Sequence, residues 1–299
     1  MAMTFPARDG GTMVASRPIV PRQAVILAAG VGSRLRPLTD TRPKPLVEVC
    51  GVPILHNALQ HLAAIGITSA TIVVGYRKEL VQKACGLRFQ GVEITYAESA
   101  SFDRTGSAYS LWLARETLLR GSTILLEGDV FFELEILKRL VSEGEQEDAA
   151  AVAPFSALME GSAVTVTCDG LINDVRMKQS AESLQSGSTL FKTINLFRFS
   201  APTLRNVLVP ALDELIESGA TSAYTEQLLA DLVGARGLRV KAARCDDLKW
   251  YEVDSEADLR IAEAIFRNAN GFDNPTTIAS LLPTRGLSRP AKAKAGMGP

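Results

Sequence analysis

Between Ala24 and Leu46 the chain reads AVILAAGVGSRLRPLTDTRPKPL. The apolar run Ala24 to Ala29 has the length and uniformity of a parallel strand buried on both faces. It breaks into Gly30-Val31-Gly32-Ser33-Arg34. A turn rich in glycine lets backbone N–H groups approach phosphate oxygens, because no Cβ intervenes. Arg34 and Arg36 add two guanidinium forks, and Lys44 is held between Pro43 and Pro45. Amide donors, forks and a stiffly held ammonium in one short segment suit a polyphosphate.

Two common phosphate loops are excluded. No G-x-x-x-x-G-K-[ST] run occurs. The dinucleotide pattern G-x-G-x-x-G fails because Leu35 replaces its third glycine, and Pro37 would disturb the helix that such a fold starts there.

The motif L-A-A-G-x-G-S-R-L-x-P-L-T…P-K-P-L resembles the signature of nucleotidyltransferases that activate sugar phosphates and small phosphorylated alcohols. The resemblance extends from about Arg22 to Asn268. It implies that the loop wraps a nucleoside triphosphate, with Arg34 and Lys44 on its phosphates. Leu27, Ala28, Ala29 and Gly30 would then lie by base and ribose, with Gly32 and Ser33 completing the loop.

The 299 residues are 46% hydrophobic and 22% charged, with a net charge of −1, which gives no electrostatic footprint for nucleic acid or an anionic membrane. No run nears the roughly 18 apolar residues of a membrane span. Residues 1–22 lack the apolar core of a secretory signal and read as a flexible leader. The four cysteines, Cys50, Cys85, Cys168 and Cys245, form no C-x-x-C pair, which fits a reducing cytoplasm. The two histidines, His56 and His61, are too few for a metal cluster and fit a helix surface or dimer contact. A homodimer is compatible with this pattern.

Apolar strands then alternate with amphipathic helices. Helices are expected over 54–65, 77–85, 107–120 and 134–143, and strands over 70–74, 92–96 and 123–126. This alternation predicts an α/β fold with a mixed, mainly parallel, Rossmann-like sheet covered by helices on both faces. The second half differs. A hairpin over 163–177 and strands over 149–154, 193–199, 238–242 and 250–253 form an inserted β region, with helices over 202–218, 224–233 and 255–267. One nucleotidyltransferase domain is expected over 23–268, its nucleotide half at 23–145 and its acceptor half at 146–268. Residues 274–299 have no periodic core face and read as a disordered tail.

Asp129 ends the strand that precedes it. Ligands of open parallel sheets bind beyond the carboxyl ends of strands, and Mg²⁺ takes one or two carboxylates plus phosphate oxygens. The resemblance likewise makes Asp129 the metal aspartate. Asp254, in W-Y-E-V-D-S, matches the second metal aspartate of phosphocholine-activating relatives, with Glu252 in competition two residues earlier on the same strand face. Ser255 and Asp258 form a near capping box.

The segments K-T-I-N-L-F-R-F-S, A-Y-T-E-Q-L-L and L-K-W-Y-E-V-D-S-E-A-D-L resemble phosphocholine and aminoalkylphosphonate cytidylyltransferases. That resemblance implies CTP and a small phosphate- or phosphonate-bearing acceptor. Lys178 and Lys192 are candidates for the acceptor's anion, Glu226 for an ammonium countercharge, and Tyr224 and Trp250 for aromatic faces. Only Phe155 is aromatic between 155 and 166, which favours an acceptor smaller than phosphocholine. Two alternatives stay open. One is a sugar-1-phosphate nucleotidyltransferase using UTP, dTTP or GTP. The other is a nucleotide sensor without catalysis.

Overall fold

The computed structural model describes residues 21–142, 147–157, 159–186 and 189–267. The expected tail over 274–299 lies outside these residues, as does the expected leader apart from Pro21 and Arg22. The Arg22 carbonyl accepts the N–H groups of Thr68 at 2.9 Å and Ser69 at 3.2 Å, so Arg22 is already part of the folded edge.

In chain order the main elements are β1 (Gln23–Ala28), α1 (Ile54–Ala64), β2 (Ser69–Val74), α2 (Lys78–Cys85) and β3 (Val92–Glu98). Then come α3 (Ser107–Leu113), α4 (Arg115–Arg120), β4 (Thr123–Glu127), β5 (Val130–Phe132) and α5 (Leu134–Ser142). The second half adds β6 (Asp148–Pro154), β7 (Gly161–Val166), β8 (Ile172–Gln179) and β9 (Phe191–Phe199). It closes with α6 (Val209–Glu217), α7 (Thr225–Gly234), β10 (Val240–Arg244), β11 (Trp250–Glu252) and α8 (Glu256–Arg267).

One 10-stranded sheet runs through both halves of the chain in the order β8-β7-β9-β4-β1-β2-β3, ending on the short strand Arg88–Phe89. Strand β6 branches off β9 and carries β10. β1 is parallel to both β2 and β4, and β2 is parallel to β3. β9 enters antiparallel to β4, with Leu196 opposite Leu126 and Phe197 opposite Leu125. The fold is therefore the expected mixed, mainly parallel sheet between helical layers.

The apolar runs have a simple cause. Successive strand residues face opposite sides, and both sides are covered. Ala24, Ile26 and Ala28 of β1 join a core with α1 and α5. Val25 and Leu27 join a second core with α3, α6 and α7. Each fully buried Leu or Ile contributes about 1.5–3 kcal/mol against an exposed one, so a polar residue inside this strand would be costly.

Three local expectations change. The helix expected over 107–120 is split at Ala114, whose N–H turns back to Leu111 O at 3.0 Å in a tight turn. The helix expected over 202–218 contains a wide π-type turn at Leu204–Leu208 ahead of α6. Pro210 has no N–H to continue the regular ladder through that turn. Strand β5, three residues long and invisible to periodicity, follows Asp129 and pairs with β11, setting Glu252 opposite Val130.

Candidate active site

The β5–β11 pairing assembles the site. The Val253 N–H donates to Asp129 O at 2.9 Å, so Asp129 and Asp254 emerge side by side although far apart in sequence. Beneath them a third apolar cluster joins Leu35, Val47, Val49, Ile54, Phe131, Val253 and Ala262. Leu35 adjoins Arg34, Val253 adjoins Asp254, and Phe131 lies two residues past Asp129. This cluster thus ties the phosphate loop to the carboxylate tips.

Lys44 begins a one-turn helix, Lys44–Leu46, launched from extended Pro43. Its ammonium lies 2.9 Å from Asp129 Oδ2 and 2.5 Å from Asp254 Oδ1. Burial alone would lower its pKa, but the two carboxylates outweigh burial and raise it, keeping Lys44 charged. Burial acts to raise Asp254, yet Lys44, and after it Arg34, hold its carboxyl below the usual range. Arg34 reaches Asp254 Oδ2 at 3.0 Å from a largely exposed position, leaving its guanidinium free to turn toward a ligand. Gly32 is required here: its φ is +66°, and a Cβ would stand 2.8 Å from Lys44 Cβ. Leu27, Ala28 and Ala29 are buried and line the loop's base, while Gly30 and Ser33 are exposed on it.

Carboxylate oxygens of Asp129, Glu252 and Asp254 lie within 4.8 Å of one another. Asp129 Oδ1 is shut off from solvent with no hydrogen-bond partner. A buried acceptor left unpaired costs about 1–3 kcal/mol. The three oxygens, that orphan and the ammonium lodged between two of the carboxylates fit a hard divalent cation with oxygen ligands. Glu252 is engaged by Lys192 Nζ at 3.0 Å, while Asp254 faces Lys44, so both competing acids reach the site.

The acceptor candidates separate. Lys192 is buried in β9 beside Glu252. Burial raises the pKa of Glu226, at the start of α7, with Asp129 and Asp254 acting in the same direction, so it belongs to the acidic cluster. Tyr224 is 58% exposed just ahead of α7. Lys178 is exposed at φ +53°, in the bulge where the β7–β8 register slips. Trp250 is partly buried and packs against the core of α1 and α5, where its large apolar area stabilises packing.

Two residues that shape the site were not singled out from the sequence. Glu127, the last residue of β4, has its pKa pushed well above the carboxylate range by burial, then by Glu226, Asp129 and Glu252. Its carboxylate ending of an otherwise apolar strand was the available signal. Gly106 was also missed. A Cβ there would meet the Ala223 carbonyl at 2.0 Å, so only glycine lets α3 start against the loop leading into α7. The Thr225 N–H then donates to Ser107 Oγ at 2.8 Å, fixing Glu226 over the site.

The geometry agrees with comparisons to known proteins. A sequence model of the nucleotidyl transferase family matches residues 23–160. The UTP–glucose-1-phosphate uridylyltransferase AglF of Haloferax volcanii is 33% identical over 254 residues, 81% of this chain and 97% of that protein. This chain belongs to the nucleotidyl transferase family. Within the family, it is 38% identical over 248 residues to the CMP-5'-(3-aminopropyl)phosphonate synthase of Streptomyces rubellomurinus. That match covers 83% of this chain and spans only 39% of the relative's length. The fold matches the CTP:phosphocholine cytidylyltransferase of Streptococcus pneumoniae, with a TM-score of 0.65 at 23% identity, over 82% of this chain and all of that one. This nucleotidyltransferase is therefore an enzyme, and no helix among its described residues is long and apolar enough to cross a membrane.

Proposed function

We propose that this nucleotidyltransferase moves CMP from CTP to a small acceptor bearing a phosphate or phosphonate, with Mg²⁺ as its cation and pyrophosphate as the other product. The observation that carries this reading is Lys44, lodged between Asp129 and Asp254 beneath a glycine loop. The choice of cytidine rests on the CMP-phosphonate synthase relative. The four cysteines are free thiols, which supports a cytoplasmic setting.

An acceptor oxygen attacks the α-phosphorus in line, and the bond from that phosphorus to the β-phosphate bridging oxygen breaks. No general base is needed, since a phosphate monoester, with a second pKa of about 6, is already anionic at neutral pH. The protein's task is to hold two anions together against repulsion. Arg34 and Lys44 take the triphosphate, the loop amides bind its oxygens, and Lys192 is placed to meet the acceptor's anion. Asp129 and Asp254, with Glu252 adjacent, would hold Mg²⁺, which when bound neutralises charge developing on the phosphoryl oxygens.

A second reading, hexose-1-phosphate uridylyl transfer, is favoured by the uridylyltransferase relative. Pyrophosphate release separates the two when the common nucleoside triphosphates are crossed against 2-aminoethylphosphonate, phosphocholine, phosphoethanolamine and glucose-1-phosphate. Turnover confined to CTP with a small phospho- or phosphono-acceptor is expected. Turnover only with UTP and glucose-1-phosphate would replace this reading with the second.

A further inference from the structure

The phosphate loop is held by the corner that follows β2. That corner, residues 75–77, lies at the carboxyl end of β2, the side of an open parallel sheet where ligands bind. The Tyr76 N–H donates to Ala29 O at 3.0 Å. The Tyr76 phenol donates to Thr39 O at 2.9 Å, and the Thr39 hydroxyl donates to Gly32 O at 2.9 Å. Thr39 is 1% exposed, in the one-turn helix Leu38–Thr41. Arg77 adopts φ +49°, a costly conformation for a residue with a Cβ. From there its Nε donates to Tyr76 Oη at 3.1 Å and its Nη2 donates to Asp40 O. Strained residues of this kind cluster at ligand clamps.

The two carbonyls held in this way belong to the peptides Ala29–Gly30 and Gly32–Ser33, both trans. A trans peptide sets its C=O and N–H on opposite sides. With one C=O turned toward Tyr76 and the other toward Thr39, the N–H groups of Gly30 and Ser33 are turned away from them. Gly30 and Ser33 are both exposed. Outward N–H groups at a glycine turn make a nest for anionic oxygens, whereas a carbonyl oxygen turned the same way would repel them. The Leu35 N–H also donates to Gly32 O at 3.0 Å, so that carbonyl is tied twice. The Tyr76 and Thr39 hydroxyl protons are both spent on backbone carbonyls. Each side chain therefore acts on a ligand through the loop's peptides.

We propose that Tyr76 and Thr39 are positioning residues of the nucleotide site. They hold the Ala29 and Gly32 carbonyls away from the triphosphate, so that the Gly30 and Ser33 amides face it. The inference rests on the loop taking the triphosphate, as proposed above, and not on the choice of base. Its test is steady-state pyrophosphate release in Tyr76→Phe, Thr39→Val and Thr39→Ser, with the nucleotide and acceptor that the wild type turns over. Phenylalanine keeps the ring contact with Phe102, centroids 6.2 Å apart, and valine keeps the buried shape of Thr39. KM for the nucleotide should rise by about three- to tenfold in Tyr76→Phe and in Thr39→Val, the effect of one lost hydrogen bond. KM for the acceptor should not move. Thr39→Ser keeps the hydroxyl and should restore the nucleotide KM. A loosened fold lowers the active fraction, and with it kcat, but shifts neither KM. A nucleotide KM unchanged in either Tyr76→Phe or Thr39→Val would overturn the inference and leave nucleotidyl transfer standing. So would an equal rise in KM for the acceptor, or a serine that does not restore the nucleotide KM. Absence of pyrophosphate release from the wild type with every pair would instead overturn the cytidylyl-transfer reading. Calorimetric titration of CTP then tests the positioning role by itself: Kd should rise by the same factor in Tyr76→Phe and Thr39→Val, and an unchanged Kd overturns it.

Discussion

The Lys44 ammonium lies 2.9 Å from the Asp129 carboxylate, across 85 residues of sequence. It bridges on to Asp254, so one side chain from the phosphate loop closes the circuit between both carboxylate tips. The loop is thereby held over the strand ends before any ligand arrives.

Replacing Lys44 by Met keeps the stem and removes the charge, leaving two part-buried carboxylates facing each other. Turnover should fall by about 10²–10³-fold, the usual effect of deleting one preorganised electrostatic contact. Thermal denaturation gives a second readout. Mg²⁺ should raise the midpoint of Lys44→Met by more than that of the wild type, because the cation replaces the lost ammonium. Saturating about a hundredfold above Kd corresponds to about 2.7 kcal/mol. An equal shift in both proteins would argue against a shared cation position.

Asp129→Ala should abolish pyrophosphate release while circular dichroism and the unfolding midpoint stay close to wild type. The residue sits at a strand tip, its Oδ1 has no partner, and Lys44, which its Oδ2 engages, keeps Asp254 as a second carboxylate. EDTA should silence the wild type in the same way, with recovery on adding Mg²⁺. Full activity in chelator would remove the metal from the mechanism.

Leu35 is fully buried in the cluster that joins the phosphate loop to Phe131 and Val253. Leu35→Ala should cost about 2–5 kcal/mol of stability, read from urea denaturation. It should also raise KM for the nucleotide, since Arg34 is the adjoining residue. A stability loss with unchanged KM would show that the cluster does not position the loop.

His61 provides a pH dependence of stability where it packs against β5. Its Nε2 lies 3.0 Å from Phe132 O, and burial lowers its pKa below the ordinary value of about 6.5. The folded state therefore prefers neutral His61. Its contribution is full above about pH 6.5 and is lost as pH falls through the depressed folded value. The denaturation midpoint of the wild type should drop between pH 7.5 and 5.5, and by less in His61→Gln. Equal slopes would place the acid sensitivity elsewhere.

Asp258 shows how far local chemistry carries. Its carboxylate accepts the Ser255 N–H at 2.8 Å and its own N–H donates to Ser255 Oγ at 3.2 Å, the capping box expected from spacing. Trp250 shows the opposite case. Its type suggested a ligand face, but which side of the sheet it occupied depended on the β5–β11 pairing. Glu127 escaped notice for the same reason, since its carboxylate looks ordinary until the fold brings Glu226, Asp129 and Glu252 around it.

Pattern within the chain was enough for the α/β class, the glycine loop with Arg34 and Lys44, the strand-end aspartate and the family resemblance. Each depends on residues close together in sequence, where backbone conformation and hydrophobic period act directly. Tertiary structure alone decided which carboxylates share one site, that Lys44 is their counterion, and that Trp250 packs against the core. These depend on pairings across 85 to 210 residues. Such pairings are set by burial on both faces of the whole sheet, which no local window contains.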